Sequence, residues 1–186
     1  MASGSRENSC DCRRIDFCES KWVVIMIRQD DILLNAMSEL PFKEYGCALM
    51  DIAYHAIMFP TEREMESGLG YTFKRESFVS DCNKWVNSGA LSLDLFVTWD
   101  RIAQDLGLPY RLVKEKGTHV LPVGRVLRDA ELQIVQLYNP DTGKAHFVVM
   151  NKHDQVTYDS LGKSVTVAAY EKNIAYIKDR RIFRRI

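Results

Sequence analysis

The sequence contains no long hydrophobic run and no excess of charge of either sign. The longest early apolar stretch, from Trp22 to Ile27, falls far short of the roughly 18 to 20 residues that a membrane-spanning helix needs. Lys and Arg together number 25, and so do Asp and Glu. A chain with no net charge has no general attraction to nucleic acid or to a membrane surface. We therefore expect neither a transmembrane segment nor nucleic-acid binding.

Targeting signals and a disulfide framework are also missing. The first 25 residues lack the charged start, apolar middle and small-residue cleavage site of a signal peptide, so we expect the protein to be cytoplasmic as made. Any action in the periplasm or cell wall then requires release through a separate pore. The five cysteines are an odd number in a chain large enough to fold without disulfides. Cys10, Cys12 and Cys18 lie close enough together to hold a metal ion, but their spacing matches no common zinc pattern, so we predict no metal and no cofactor.

The chain has 186 residues with 46% hydrophobic content and can bury one core of its own. Residues 1–25 are polar and lack periodicity, and we interpret them as a flexible leader outside the fold. Residues 26–186 are predicted to form a single monomeric domain.

Hydrophobic periodicity divides this domain into a helical half and a strand half. Helical spacing predicts helices over 28–39, from Cys47 until Pro60 ends the run, over 76–86 and over 98–106, with a loop over 62–71. In the first of them we expect one apolar face to be packed. From Tyr110 onward the alternation predicts strands over 110–114, 120–127, 132–138, 145–150 and 156–159, and turn residues between the last three predict an antiparallel meander. The expected packed face of the first helix comprises Ile32, Leu33, Ala36, Met37 and Leu40.

Cys47 is the first candidate for a chemical role. It follows Gly46 at the start of an apolar helical run, where a helix N-terminus favours a negative charge on sulfur. The alternative is a small buried hydrophobic residue, which is what most cysteines in apolar helices are. Cys82 lies in the middle of a helix beside Phe78 and Trp85, and we assign it to the core.

His146 and Asp159 complete an order of residue types typical of thiol nucleophilic catalysis. His146 begins an apolar strand, and Asp159 ends the next strand, so the hairpin between them brings the two side chains together. The alternatives are a histidine at a sheet edge and an aspartate that caps a turn. His55 lies roughly 12 Å from Cys47 along the helix axis, too far to partner it. His119 and His153 lie in a loop and a turn.

These segments resemble those of the papain-like cysteine peptidases, and within them the small bacterial and phage domains related to bacteriocin-processing peptidases. The resemblance covers about residues 28 to 161. It implies an α+β fold in which an N-terminal helical lobe carries the nucleophile Cys47 and packs on an antiparallel sheet that carries the base His146 and the orienting Asp159. The matching segments are Tyr45-Gly46-Cys47-Ala48-Leu49, Ala145-His146-Phe147-Val148-Val149 and Tyr158-Asp159-Ser160-Leu161.

Two positions depart from the family pattern. The family places a glutamine of the oxyanion hole about six residues before the cysteine, where this chain has Pro41, and it places Gly or Trp where this chain has Ala48. The backbone N–H of Cys47 supplies one donor. We consider Tyr45 and Gln29 for the second, together with Lys43 and Glu44.

The resemblance implies a cysteine peptidase or amidase of the endolysin kind that acts on peptidoglycan peptides. One alternative is a Cys-His-Asp acyltransferase of the transglutaminase kind, which uses the same residues. Another is a catalytically inactive binding module, suggested by Pro41 and Ala48. The basic segment from Lys178 to Arg185 is interpreted as a solvated last element, with peripheral contact to anionic envelope lipid or glycan as the alternative.

Overall fold

The computed structural model describes residues 28–58, 73–113 and 131–186. The polar leader, the clustered Cys10, Cys12 and Cys18, the predicted loop over 62–71, the predicted strand over 120–127 and His119 lie outside the described residues.

The described residues form an α+β structure, as predicted. The helices come first, apart from one short helix between the last two strands, and the strands follow. In chain order the helices are α1 (Ile32–Met37), α2 (Phe42–Tyr45), α3 (Cys47–Met58), α4 (Arg75–Asn87), α5 (Trp99–Asp105) and α6 (Val165–Glu171), and the strands are β1 (Tyr110–Val113), β2 (Glu131–Asn139), β3 (Lys144–Met150), β4 (Val156–Tyr158) and β5 (Tyr176–Arg185). Within the described ranges, every helix is too short or too polar to cross a membrane.

The strands form one antiparallel sheet in the order β1-β5-β2-β3-β4. The meander β2-β3-β4 is the one that the turn residues predict. β4 is short and pairs with β3 only at Val149 and Met150. The end of β3 that carries His146 therefore extends beyond its pairing with β4.

The C-terminal basic segment is not a solvated last element, which corrects that interpretation. It forms β5, an inner strand hydrogen-bonded to β1 on one side and β2 on the other. Ile182 and Phe183 are buried in the core. Three of its arginines form ion pairs within the fold, Arg180 with Asp154, Arg181 with Asp179 and Arg184 with Glu131.

Each face of the sheet buries its own apolar cluster. The larger cluster joins α3, α4 and α5 to one face, with Ile134, Val149 and Phe183 among the strand residues. The smaller cluster places Val167 of α6 against Val135 and Val148 on other strand positions. The apolar stripe expected on α3, Leu49, Ile52, Ala53, Ala56 and Ile57, is confirmed at its first four positions, which are buried, while Ile57 is partly buried against the same core.

The packed face expected for α1 is wrong in most positions. Ile32, Leu33 and Met37 are exposed, by 83% in the case of Ile32, while Leu34 and Leu40 are buried. The helix has only six residues. Its orientation is set by Asp31, which accepts from the Leu34 N–H and pairs with Arg75 of α4. A helix this short follows its anchoring contacts rather than its apolar stripe.

Candidate active site

Cys47 is presented at a tight junction between two helices. α2 ends at Tyr45, Gly46 joins it to α3, and the Gly46 N–H donates to the Phe42 carbonyl over 2.8 Å. A Cβ at position 46 would lie 2.5 Å from that carbonyl oxygen, so only glycine fits without a shift. Cys47 is then the first residue of α3 and is partly exposed, whereas Ala48 and Leu49 behind it are buried. The first N–H groups of a helix have no acceptor within it and favour a nearby negative charge.

His146 and Asp159 form a buried, directly bonded pair. Nε2 of His146 lies 2.7 Å from Oδ1 of Asp159, and both residues are less than one-tenth exposed. The Asp159 carboxylate also accepts from the Leu161 N–H over 2.9 Å and from the Ser164 N–H over 2.7 Å. Ser164 caps α6 by accepting from the Val167 N–H. The carboxylate is thereby held in one orientation by the loop between β4 and α6.

The structure also brings Cys47 near the same imidazole ring. Its side chain lies close enough to His146 to raise the pKa of the imidazole. Because Nε2 faces Asp159, Nδ1 is the ring nitrogen that remains for the sulfur. The three residues singled out from the sequence are thus brought together, with His146 bonded directly to Asp159.

The electrostatics of the pair favour a charged imidazole. Burial lowers the pKa of His146, but the hydrogen bond with Asp159, the nearby Cys47 thiol and the charges of both groups outweigh burial and raise it to about 10. Burial raises the pKa of Asp159, but the bond to His146 and the N–H groups of Ser164 and Leu161 lower it to about 2. At neutral pH the two residues are therefore an imidazolium and a carboxylate. The other free cysteine among the described residues, Cys82, is buried in the core. Burial raises the pKa of its thiol far above the ordinary value.

Gln29 lies beside both ends of this site although it precedes Cys47 by eighteen residues. Its Nε2 donates to the Lys43 carbonyl over 2.8 Å, just before the Cys47 turn. Its Oε1 accepts from the Ser160 hydroxyl over 2.6 Å, and its N–H donates to the Ser160 carbonyl over 3.1 Å. Tyr45, the other candidate donor, is 59% exposed on α2. Lys43 and Glu44 are exposed as well.

Asp51 is a component of the site that the sequence analysis missed. It lies one turn after Cys47 on α3 and is fully buried, and neither carboxyl oxygen has a hydrogen-bond partner among the described residues. Burial, followed by the charges of Cys47 and Asp159, raises its pKa well above the ordinary value, and the charge of His146 opposes this rise. One signal was available: Asp51 is the one charged residue in the apolar run from Cys47 to Tyr54, at the spacing that places two side chains on one helix face.

The remaining described histidines do not join the site. His55 is buried one turn beyond Asp51, and burial lowers its pKa to about 4. It lines a cleft of about 220 Å³ with Tyr54, Glu131 and Thr157 among others, which Cys47 does not line. His153 is exposed in the turn after β3. The described part of the chain contains no group of three or more His, Cys, Asp or Glu side chains arranged to hold a metal ion.

Comparison of the chain with family models, with curated proteins and with solved structures gives no match.

Proposed function

We propose that this protein is a cysteine-dependent hydrolase of amide bonds with a papain-like arrangement of its two lobes. One observation carries the proposal: Cys47, partly exposed at a helix start, lies near a buried histidine whose Nε2 is held by Asp159. A thiol, an imidazole and an orienting carboxylate in this order are the parts that thiol-dependent acyl transfer requires.

The roles follow from the contacts. The Cys47 sulfur, paired as an anion with the His146 imidazolium, attacks the carbonyl carbon of the substrate and forms a carbon–sulfur bond. His146 then donates its proton to the leaving amine as the carbon–nitrogen bond breaks. Water, deprotonated by the now neutral His146, hydrolyses the thioester, and the departing sulfur anion is again paired with the imidazolium. Asp159 stabilises the imidazolium at the start and at the end of this cycle.

Two donors are available for the oxyanion. The Cys47 N–H is at the start of α3 and is directed away from that helix. Gln29 supplies the second: its Nε2 carries two hydrogens, and the Lys43 carbonyl accepts one of them. The pairing of Gln29 with both Lys43 and Ser160 supports this role, since it holds the amide between the Cys47 turn and the Asp159 loop.

The substrate class that we propose is the peptide part of peptidoglycan. The support is the resemblance of the Cys47, His146 and Asp159 segments to small phage and bacterial peptidase domains. In this proposal the protein is made in the cytoplasm and reaches the cell wall through a separate pore. The acyltransferase alternative uses the same three residues and differs in whether an amine or water accepts the acyl group.

The test uses purified peptidoglycan under reducing conditions at neutral pH, with released amino groups as the readout. We expect hydrolysis by the wild type and by Cys82→Ala, the matched cysteine control, and no hydrolysis by Cys47→Ala or His146→Ala. Retained activity in Cys47→Ala would contradict the proposal. Acyl-amine products in the presence of an added amine would identify a transferase instead.

A further inference from the structure

Asp51 and Cys47 share one face of α3. Residues four apart on a helix are neighbours, and helix side chains lean towards the N-terminus, so the Asp51 carboxyl group leans towards the sulfur. Asp51 is completely buried, and its two oxygens have no hydrogen-bond partner in the described part of the chain. A buried acid with no hydrogen-bond partner among the described residues therefore lies one helical turn from the proposed nucleophile.

Stability does not account for this residue. Burying a carboxyl group without a hydrogen bond opposes folding. The adjacent helix positions Met50 and Ile52 are apolar and fully buried, so an apolar residue at position 51 would suit the core better. Asp51 therefore requires a reason other than packing. Of the titratable groups one turn away on the same helix face, Cys47 and His55, it is Cys47 whose charge raises the pKa of Asp51.

The charged groups around Asp51 come from α3, from β3 and from β4 with the loop that follows it. Cys47 belongs to its own helix, His146 to β3, and Asp159 follows β4. Tyr158 of β4 is also affected by the charge of Asp51. Acidic groups on other packed elements have other partners: Asp100 of α5 accepts from the Leu112 N–H, Asp105 from the Trp85 indole, and Glu131 of β2 pairs with Arg184.

Apart from the Tyr158 phenol, this cluster contains three acids, Cys47, Asp51 and Asp159, and one base, His146. Acids in such proximity cannot all ionise, and the proton that one retains depends on the charge of the others. Asp159 is committed to His146 and to two backbone N–H groups. The competition for one negative charge is therefore between Cys47 and Asp51.

We propose that Asp51 is a positioning residue that acts through Cys47: its carboxyl group keeps a proton while the sulfur is negatively charged and releases it when the sulfur becomes neutral. The inference rests on the proposed chemistry of Cys47. In alkylation, a sulfur–carbon bond forms, iodide leaves with the bonding electron pair, and the Asp51 proton passes to water. Acylation of the sulfur by a substrate has the same effect on its charge.

The experiment measures protons released when the full-length protein reacts with excess iodoacetamide in weakly buffered solution. We expect the wild type to release more protons than Asp51→Asn. The difference should be at most about one proton per molecule. The other cysteines are common to both proteins and cancel in the difference. Asp81→Asn, which removes the same charge from an exposed pair with Lys84 on α4, should match the wild type.

Equal proton release by the wild type and a folded Asp51→Asn variant would overturn the inference. A second measurement needs no variant: the infrared carbonyl band of a protonated carboxylic acid should be present in the wild type and should weaken on alkylation of Cys47. An unchanged band would also overturn it. If peptide mapping shows that Cys47 reacts no faster than Cys82 at pH 6, the proposed function fails together with this inference, whereas rapid reaction of Cys47 without a proton difference removes the Asp51 role alone.

Discussion

His146 and Asp159 show how opposing effects decide the charge state of a buried pair. Burial alone would make the histidine neutral and the aspartate protonated. The 2.7 Å contact between them and the two N–H groups on the carboxylate reverse both tendencies. Because the imidazolium is held in place before any substrate arrives, it is ready to stabilise a negative charge on the Cys47 sulfur.

Gln29 has a matched counterpart in Gln133, which is equally buried. Gln133 donates to the Asn151 carbonyl over 2.7 Å and accepts from Arg180 over 2.7 Å. We expect either residue changed to alanine to lose about 1–3 kcal/mol of folding free energy, because each leaves buried groups unpaired. In addition, Gln29→Ala should lower kcat by roughly 10²–10³, as expected for loss of an oxyanion donor.

The measurement is kcat on a peptide substrate together with urea unfolding of both variants. Gln133→Ala should keep the wild-type kcat at temperatures where it is folded. An equal effect of the two substitutions on kcat would show that Gln29 serves only to hold the fold together.

Among the elements, the junction of α2 and α3 is the one that the site depends on most directly. Gly46 has a φ of −73°, an ordinary helical value, so its requirement is for space rather than for a left-handed conformation. The Phe42 carbonyl occupies the place of a Cβ. A side chain at position 46 would displace α2 or rotate the first turn of α3, which carries Cys47.

We expect Gly46→Ala to destabilise the fold by about 1–3 kcal/mol, as overpacking does, and to slow the alkylation of Cys47 at pH 6. Gly143→Ala is the matched control, because a Cβ there meets nothing within 4 Å and the cost comes only from its φ of 67°. That cost is about 1 kcal/mol. The readouts are urea unfolding and the alkylation rate from peptide mapping, and Gly143→Ala should keep the wild-type rate. An unchanged rate in Gly46→Ala would mean that the junction tolerates a side chain.

The elements also show where sequence reasoning succeeds and where it stops. The stripe of α3 and the meander β2-β3-β4 were predictable because their periodicity is long and their turns are polar. The inner position of β5 was not, because its basic residues look solvated until Arg180 and Arg184 find Asp154 and Glu131 across the fold. The order of Cys47, His146 and Asp159 suggested a site, but the approach of Gln29 depends on tertiary contacts that no local pattern encodes.

For the whole molecule, buried titratable groups make stability depend on pH in opposing directions. His146 has a pKa of about 10 in the folded protein against 6.5 otherwise, so its stabilising contribution is complete below pH 6.5 and is lost as the pH rises through 10. Asp159 has a pKa lowered to about 2, so its contribution is present above pH 4 and is lost as the pH falls through 2. Asp51, with a raised pKa, favours the folded state more at low pH than at high pH.

His55 makes stability depend on pH on the acid side, in a way that a single substitution can isolate. Its pKa is 6.5 in the unfolded chain and about 4 when buried, so between these values the unfolded state binds more protons and stability falls as the pH decreases. The loss amounts to roughly 3 kcal/mol over that range. Asp51 changes stability in the opposite direction over the same range, so the difference between wild type and His55→Gln isolates His55 better than the wild-type curve does.

We expect His55→Gln to lose less stability than the wild type on going from pH 7 to pH 4, by roughly 3 kcal/mol in the free energy of urea unfolding. His153→Gln is the matched control, because His153 is exposed in a turn and should leave the pH dependence of the wild type unchanged. Parallel curves for the wild type and His55→Gln would mean that His55 is protonated as readily in the folded protein as in the unfolded chain. The cleft that it lines would then have to admit water and charge at the far end of the helix that carries Cys47.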